Sequence, residues 1–191
     1  IDDAPNSPIV DYWMIENEVD CRAGGWGDTP ENYATLLKTA YKAAKEANPS
    51  TKIVMAGMAG RLNYYEDILD YLNEIKDNPR DQYFDIFAYH AGGKANNYNS
   101  EPRRQSIQEL LSKYNYQNIE IWITEMSTYS GDPKEPEGKD RFEYQSESEQ
   151  AISLLKRYVH PITHAVKKIF WVSLTEWYGY GGQPGGLYDN V

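Results

Sequence analysis

Five short apolar runs along the chain predict strands that are buried on both faces, because the runs lack the alternation of a half-exposed strand. The predicted strands are residues 9–15, 52–58, 84–89, 119–124 and 168–174. Between them, apolar residues recur at helical spacing. The predicted helices are residues 30–47, 64–76, 104–114 and a segment that begins near Ser146 and continues through Ala151, Leu154, Leu155 and Tyr158.

Two of the predicted helices begin with capping signals. Thr29 suits an N-cap, and Pro30 suits the first helical position. Ser146 and Glu149 have the spacing of a capping box. These local signals support the helix starts independently of the apolar pattern.

The alternation of strands and helices predicts parallel βα units and an α/β fold. The connections after the strands are long and rich in Gly, Asn and Pro, which is typical of the side of such a fold that carries the site. An open doubly wound sheet is an alternative, but no Gly-rich phosphate turn follows any strand.

The length of the chain favours part of a barrel. A (β/α)8 TIM barrel takes about 250 residues, whereas these 191 residues supply about five βα units. We therefore expect one catalytic domain over residues 1–191 that forms the C-terminal portion of a TIM barrel. The missing barrel strands are expected upstream on the same polypeptide or on another chain.

Composition and charge exclude several classes of partner. With 19 Lys and Arg against 29 Asp and Glu, the net charge of −10 disfavours nucleic acid. No apolar run approaches the roughly 20 residues that cross a bilayer, and no leader is recognisable, so we expect a soluble chain. Cys21 is the only cysteine, which leaves a cytoplasmic or secreted location open. The 17 Tyr and 5 Trp suit stacking on sugar rings as well as ordinary packing.

Two glutamates lie at or just past the ends of predicted strands. Glu18 ends the sequence YWMIENE, and Glu125 follows IEIWIT. Carboxylates at these ends face the mouth of a barrel. Hydrolysis of a glycosidic bond needs one carboxyl group to protonate the leaving oxygen and another to attack the anomeric carbon or activate water. Spacing alone also allows loop-solvating or helix-capping acids.

The sequences around these glutamates resemble a known group of enzymes. WMIENEVD and WITEMS are similar to the acid/base and nucleophile strands of the retaining glycoside hydrolases of clan A. FDIFAYHAGG resembles the sixth barrel strand of that clan, and KKIFWVSLTEW followed by GGLYDN resembles the eighth. The pattern is most similar to family 39, the β-xylosidases and α-L-iduronidases, and covers nearly the whole chain as strands four to eight.

The resemblance implies a retaining glycosidase that acts on a carbohydrate with two glutamates and uses no cofactor and no metal. Glu18 would be the general acid/base and Glu125 the nucleophile. Asn17 would bind the sugar 2-hydroxyl, and His90 would orient the nucleophile or bind a hydroxyl. The other implied substrate-binding residues are Tyr89 and one of Trp171 and Trp177, which would lie under the sugar ring. Glu176, in the sequence TEW, is a further acid that we expect to bind a substrate hydroxyl rather than to act in catalysis.

The sequence departs from the clan beside the first glutamate. The clan commonly has an aromatic residue before its Asn-Glu pair and a proline after it, where this chain has Glu16 and Val19. Glu16 and Glu18 share strand parity, so Glu18 is preferred because Asn17 precedes it. A catalytically inactive, carbohydrate-binding barrel therefore stands as the alternative hypothesis.

Other chemistry receives less support from the sequence. His160 and His164 are four residues apart but lack the intervening glutamate of a zinc-protease motif. Cys21 has no histidine tied to it by a motif, and we expect a structural role. No Gly-x-Ser-x-Gly elbow is present, which disfavours an α/β-hydrolase.

Overall fold

The computed structural model describes residues 10–21, 26–131 and 143–172. Its strands are β1 (Tyr12–Ile15), β2 (Lys52–Met55), β3 (Ile86–Ala91), β4 (Glu120–Met126) and β5 (Val166–Trp171). Its helices are α1 (Pro30–Ala47), α2 (Leu62–Glu74), α3 (Glu101–Lys113) and α4 (Glu147–Thr163). The predicted elements are confirmed in type and order. Most of their observed ends differ from the predicted ends by a few residues.

The strands form one sheet in the order β1-β2-β3-β4-β5. The pairs β1–β2, β2–β3 and β4–β5 are parallel. Strands that are consecutive in sequence are therefore neighbours in the sheet, with one helix between each pair, as in successive units of a βα barrel. The predicted α/β class is confirmed.

The chain divides into two compact units, Ile1–Phe87 and Ala88–Val191, and the division lies within β3. In the first unit, Thr29 caps α1 by accepting a hydrogen bond from the amide of Asn32, and Pro30 occupies the first turn, as predicted. The core of this unit lies between α1, α2 and β2, where Leu37, Ile68 and Met55 are fully buried. The single domain over residues 1–191 stays a prediction.

In the second unit, α4 begins with the predicted capping box, in which Ser146 and Glu149 each bond the other's main-chain amide. Strand β4 pairs with β5 from Ile121 to Met126, with register shifts along the way. The apolar side chains of β4 and α3 form the core of this unit. Ile123, Ile107 and Leu111 are among its buried members.

The buried face of α4 differs from the predicted one. The apolar period through Ala151, Leu154, Leu155 and Tyr158 predicts the inward side of the helix, but Leu155 is 67% exposed. The buried positions are instead Gln150, Ser153, Arg157 and Pro161. The reason is that polar main-chain groups lie against the inner side of α4, and polar side chains satisfy them. An apolar stripe of Ile152, Leu155, Val159 and Ile162 faces outward.

Burial on both faces, predicted for all five strands, is found for the middle of the sheet. Every residue of β3 is buried, as are most residues of β2 and β4. The outer strands differ, since Tyr12, Trp13 and Met14 of β1 are exposed, as is Phe170 of β5. The described residues leave these side chains open to solvent, so burial on both faces is wrong for the outer strands.

Candidate functional site

The segment that follows β1 carries three polar residues, two of which have an unusual backbone conformation. Glu16 and Glu18 have φ angles of 63° and 45°, a left-handed region that is costly for residues with a Cβ atom. Such strain persists where the surroundings impose it, and it is concentrated at functional sites. Glu16 is exposed, whereas Asn17 and Glu18 are half-buried. The two acids of equal strand parity therefore occupy different environments.

A buried tyrosine fixes the end of β1. The hydroxyl of Tyr33, on α1, donates to the main-chain oxygen of Ile15 at 2.9 Å and accepts from the amide of Ala56 at 2.8 Å. Burial raises the pKa of Tyr33 well above its ordinary value, so the hydroxyl keeps its proton. These two hydrogen bonds link the ends of β1 and β2. A further link follows, because the amide of Glu18 donates to the main-chain oxygen of Gly57 at 3.1 Å.

Asp20 anchors the other side of this turn. Its carboxylate is buried and accepts hydrogen bonds from the amides of Ala59, Gly60 and Arg61 at 3.0, 2.9 and 2.7 Å. These amides precede α2, whose N-cap residue, Arg61, makes no side-chain capping bond. Asp20 therefore supplies the negative charge that the start of a helix favours. Glu18 lies between two anchors, Tyr33 and Asp20, in the first unit.

In the second unit, the structure brings together two of the predicted site residues. His90 lies near the end of β3 and is buried, and its Nδ1 atom lies 3.6 Å from Oε2 of Glu125, near the end of β4. The carboxylate of Glu125 is partly open to solvent, with 39% of the side chain exposed. A buried imidazole beside a partly exposed carboxylate can orient it or exchange a proton with it.

Strand alternation explains why these two side chains share a face. Successive side chains of a strand point to opposite faces, so Tyr89 points away from His90, and Met126 points away from Glu125. Tyr89 is fully buried, with its hydroxyl 3.3 Å from Oγ of Ser100 at the start of α3. Met126 lies under Arg157 of α4, with 3.7 Å between Sδ and Nη1. Substrate binding by Tyr89 stays a prediction.

The loop that follows His90 is held by buried polar side chains. Nη2 of Arg157 donates to the main-chain oxygens of Gly93, Lys94 and Asn97 at 3.1, 2.8 and 3.1 Å. Its Nε donates to Ser153 at 3.0 Å. Burial lowers the pKa of Arg157 to about 10. The arginine therefore fixes the loop after β3 against α4.

Gln145 and Thr128 add to this support from the segment after β4. Oε1 of Gln145 accepts from the amide of Ala95 at 2.5 Å, and its Nε2 donates to the oxygen of Tyr129 at 2.8 Å. Thr128 donates to the oxygen of Gly93 at 2.8 Å. Gly92 lies against Ser127, where a Cβ atom would come within 2.7 Å of the hydroxyl oxygen. The loops that flank His90 and Glu125 thus form one hydrogen-bonded layer.

The aromatic residues predicted to lie under a sugar ring are placed in part. Trp171 ends β5, and its ring stacks on Tyr158 of α4, with 6.3 Å between centroids and 17° between planes. Trp177 and Glu176 lie outside the described residues. That the reaction uses no metal and no cofactor also stays a prediction.

Sequence reasoning missed Asp20, Tyr33 and Arg157, which support the site. It also missed Arg103 of α3, whose Nη1 donates to the main-chain oxygen of His90 at 2.6 Å. The partners of Asp20 are about 40 residues away, and those of Arg157 about 60, so no local pattern marks them. One signal was present in the sequence. Arg157 lies seven residues after Gln150 and four after Ser153, and three long or polar side chains at helical spacing are a pattern that a buried polar face can produce.

The family comparison gives a match along almost the whole chain. The family model described as "Glycosyl hydrolase catalytic core" matches residues 3–189. Among curated proteins, no match is found.

Solved structures resemble the chain in fold at low sequence identity. A glucosidase from Croceicoccus marinus has a TM-score of 0.72 at 16% identity, over 95% of this chain and 37% of that one. An α-L-arabinofuranosidase from Thermotoga petrophila has a TM-score of 0.63 at 15% identity, over 91% and 36%. A β-1,3-glucanosyltransferase mutant from Rhizomucor miehei, in complex with laminaritriose, has 0.60 at 13%, over 94% and 60%. The chain thus spans little more than a third of the first two structures.

Proposed function

We propose that this chain, which belongs to the glycosyl hydrolase catalytic core family, forms the catalytic part of a glycosidase that cleaves O-glycosidic bonds with retention of configuration. The observation that carries the proposal is the placement of Glu125 near the end of a parallel strand, partly open to solvent and next to the buried His90. Enzymes of the barrel class use such strand ends for catalysis. The sugar-active proteins that share the fold support a carbohydrate substrate.

In the proposed reaction, Glu125 attacks the anomeric carbon, and the bond to the leaving oxygen breaks as Glu18 protonates that oxygen. The products of this step are a covalent glycosyl-enzyme and the released alcohol. Glu18, now a carboxylate, then takes a proton from water as the water displaces Glu125 from the anomeric carbon. The two steps restore both carboxyl groups and retain the configuration of the sugar.

The assignment of Glu18 as the acid rests on its surroundings. It is half-buried in a turn that Tyr33 and Asp20 hold in place, whereas Glu16 is exposed. A fixed acid keeps the geometry that proton transfer needs. Asn17, next to it, would donate to the sugar 2-hydroxyl, and His90 would hold the carboxylate of Glu125 in the attacking orientation.

Assignment to clan A, and within it to the family 39 type of β-xylosidases and α-L-iduronidases, is part of the same proposal. It is supported by the Asn-Glu sequence at Asn17 and Glu18 and the Thr-Glu sequence at Thr124 and Glu125. The position of the histidine on β3, beside Glu125, fits the same pattern.

We also propose that further βα units complete the barrel, upstream on the same polypeptide or on another chain. The exposed residues of β1, together with the outward stripe of Ile152, Leu155, Val159 and Ile162 on α4, would be covered by such units. The proposal is supported by the Croceicoccus marinus glucosidase, of which this chain covers 37%.

Covalent trapping tests the mechanism directly. A panel of activated 2-fluoro glycosides is incubated with the protein, and peptides are analysed by mass spectrometry after digestion at low pH. We expect one glycosyl adduct on Glu125, because the fluorine slows the release of the intermediate more than its formation. Turnover without an adduct on any carboxylate, together with an inverted product, would contradict retention.

Matched variants separate the roles of the acids. Glu18→Gln and Glu125→Gln should each reduce turnover by about 10³-fold or more, whereas Glu16→Gln should retain most of it. Added azide should restore turnover of an aryl glycoside in Glu18→Gln, because azide needs no general base. The alternative, an inactive carbohydrate-binding barrel, predicts saturable sugar binding with neither turnover nor adduct. It is favoured by Glu16, which stands where the clan commonly has an aromatic residue.

A further inference from the structure

A cavity of about 270 Å³ lies beside the loop between β3 and α3 in the second unit. Its walls include Arg157 from α4, Arg103 and Ser100 from the start of α3, and Asn97 and Asn99 from the loop. None of the described residues that line it is acidic. In a chain whose net charge is −10, a cavity with two guanidinium groups and no carboxylate is a distinct electrostatic environment.

Arg157 is a buried cation that lacks a counter-charge within the described residues. It is 1% exposed, and its hydrogen-bond partners there are main-chain oxygens, a hydroxyl and a sulfur atom. Buried charges are normally paired with an opposite charge, because hydrogen bonds alone recover only part of the lost hydration. In the described part of the chain, Nη1 donates only to the sulfur of Met126, which is a weak acceptor. The cost of burying this charge would fall if an anion occupied the cavity.

Arg103 brings a second cation from another element. Its Nη1 donates to the main-chain oxygen of His90 at 2.6 Å. This is its one hydrogen bond within the described part of the chain, so the other four N–H donors of the guanidinium have no acceptor there. Arginine presents a planar fork of donors that suits the oxygens of a carboxylate or a phosphate.

The start of α3 contributes to the same wall. Ser100, the N-cap residue, makes no side-chain capping bond, Pro102 has no amide hydrogen, and the amide of Glu101 donates to Oδ1 of Asn99 at 2.9 Å. Because Ser100, Pro102 and Arg103 line the cavity, the positive end of the helix dipole lies beside it. The nearest acid of this helix, Glu101, is engaged by Arg104 in an ion pair of 2.6 Å. It is not among the residues that line the cavity.

We propose that this cavity binds a small oxyanion, a carboxylate or phosphate group, through Arg103 and Arg157, either as a free anion or as part of a sugar-sized molecule. The volume is slightly below the roughly 300–1,000 Å³ of pockets for drug-sized ligands, which suits one small molecule. Asn97, Asn99 and Ser100 offer amide and hydroxyl groups to the neutral part of such a ligand. The proposal does not depend on the glycosidase mechanism.

Calorimetric titration with inorganic phosphate, glucose 6-phosphate and glucose tests it. We expect saturable binding of both anions and none of glucose. A lower dissociation constant for glucose 6-phosphate than for phosphate would identify an anion carried by a sugar. Equal dissociation constants would identify a free anion as the ligand. The absence of saturable binding by either anion at millimolar concentration would overturn the proposal.

Variants locate the binding to the cavity. Arg103→Gln removes a charge from an exposed residue and should weaken binding of both anions by about tenfold or more. Lys113→Gln removes the same charge at the other end of α3 and should leave the affinity unchanged. Circular dichroism checks that both variants are folded. Equal affinities in wild type and Arg103→Gln, or equal weakening in both variants, would show that the site lies elsewhere.

Discussion

Nδ1 of His90 lies 3.6 Å from Oε2 of Glu125, while the main-chain oxygen of the same histidine accepts a 2.6 Å hydrogen bond from Arg103. Arg103 of α3 therefore holds the backbone at His90, while the imidazole of that residue faces the carboxylate of Glu125 on β4. A small change on α3 or in the following loop would therefore move the histidine relative to the carboxylate.

We expect His90→Gln to reduce kcat by about 100-fold, since misplacing a catalytic group by about 1 Å can have that effect. The fold should survive, because glutamine keeps polar atoms in the same space. Steady-state kinetics with an aryl glycoside measures the effect. His164→Gln, a change at the end of α4, is the control and should retain wild-type kcat. Equal kcat values in the two variants would exclude the orienting role.

The left-handed backbone after β1 allows the two acids of the turn to be separated. Glycine adopts positive φ without strain, so Glu16→Gly and Glu18→Gly should each leave stability unchanged or raise it by up to about 1 kcal/mol. Only Glu18→Gly should abolish turnover. Denaturant unfolding and kinetics on the same samples provide both readouts. An inactive Glu16→Gly with an active Glu18→Gly would reverse the assignment.

Asp20 should be essential for stability rather than chemistry. Asp20→Asn replaces one acceptor oxygen by an amide that faces three main-chain donors, and we expect a loss of about 3 kcal/mol in the free energy of unfolding. Asp67→Asn, at an exposed position of α2, is the matched control and should stay within about 0.5 kcal/mol of wild type. Urea denaturation measures the free energy of unfolding of both variants. If Asp20→Asn lost no more than Asp67→Asn, the hydrogen bonds of Asp20 would be dispensable for stability.

Asp77 predicts an acid-sensitive contribution to stability. Hydrogen bonds from Lys38 and Lys42 lower the pKa of Asp77 from 3.8 to about 2. Because the folded-state pKa is the lower one, the contribution is present above pH 4 and is lost as the pH falls towards 2. Asp77→Asn should therefore lower Tm near neutral pH, and the difference from wild type should shrink across this window. A difference independent of pH would contradict the assignment.

Treatment with EDTA followed by desalting should leave glycoside turnover unchanged, because the proposed reaction uses proton transfer and a carboxylate nucleophile. Glu18, His90 and Glu125 are also residue types that can ligate a divalent metal. If they did so in function, chelation would remove activity and added metal would restore it. Metal analysis of the desalted sample completes the test.

Local signals account for the parts of the fold that the sequence predicted well. The bounds of α1 follow from Thr29, Pro30 and the apolar period, all within one segment. Strands β3 and β4 are recognisable because both of their faces are buried, and Glu125 follows from its position near the end of such a run. The burial of a strand on both faces can be predicted from the apolar residues of the strand itself.

The remaining features depend on partners far away in sequence. The inward face of α4 is polar because Arg157 binds main-chain oxygens about 60 residues earlier, and hydropathy alone assigns such a face to solvent. The contact of His90 with Glu125 depends on the pairing of two strands, and the resemblance supplied the roles rather than the geometry. The anchoring of the Glu18 turn by Asp20 has no counterpart in any local motif.

The two faces of α4 should change independently during evolution. Gln150, Ser153 and Arg157 are tied to the loops of the second unit, so their substitutions should accompany changes in those loops. The exposed positions of the helix are Ile152, Leu155, Val159 and Ile162, so substitutions there should follow changes in the surface that packs on them. Aligned sequences of relatives would then show two separate sets of covarying columns within a single helix, each reporting on a different neighbour.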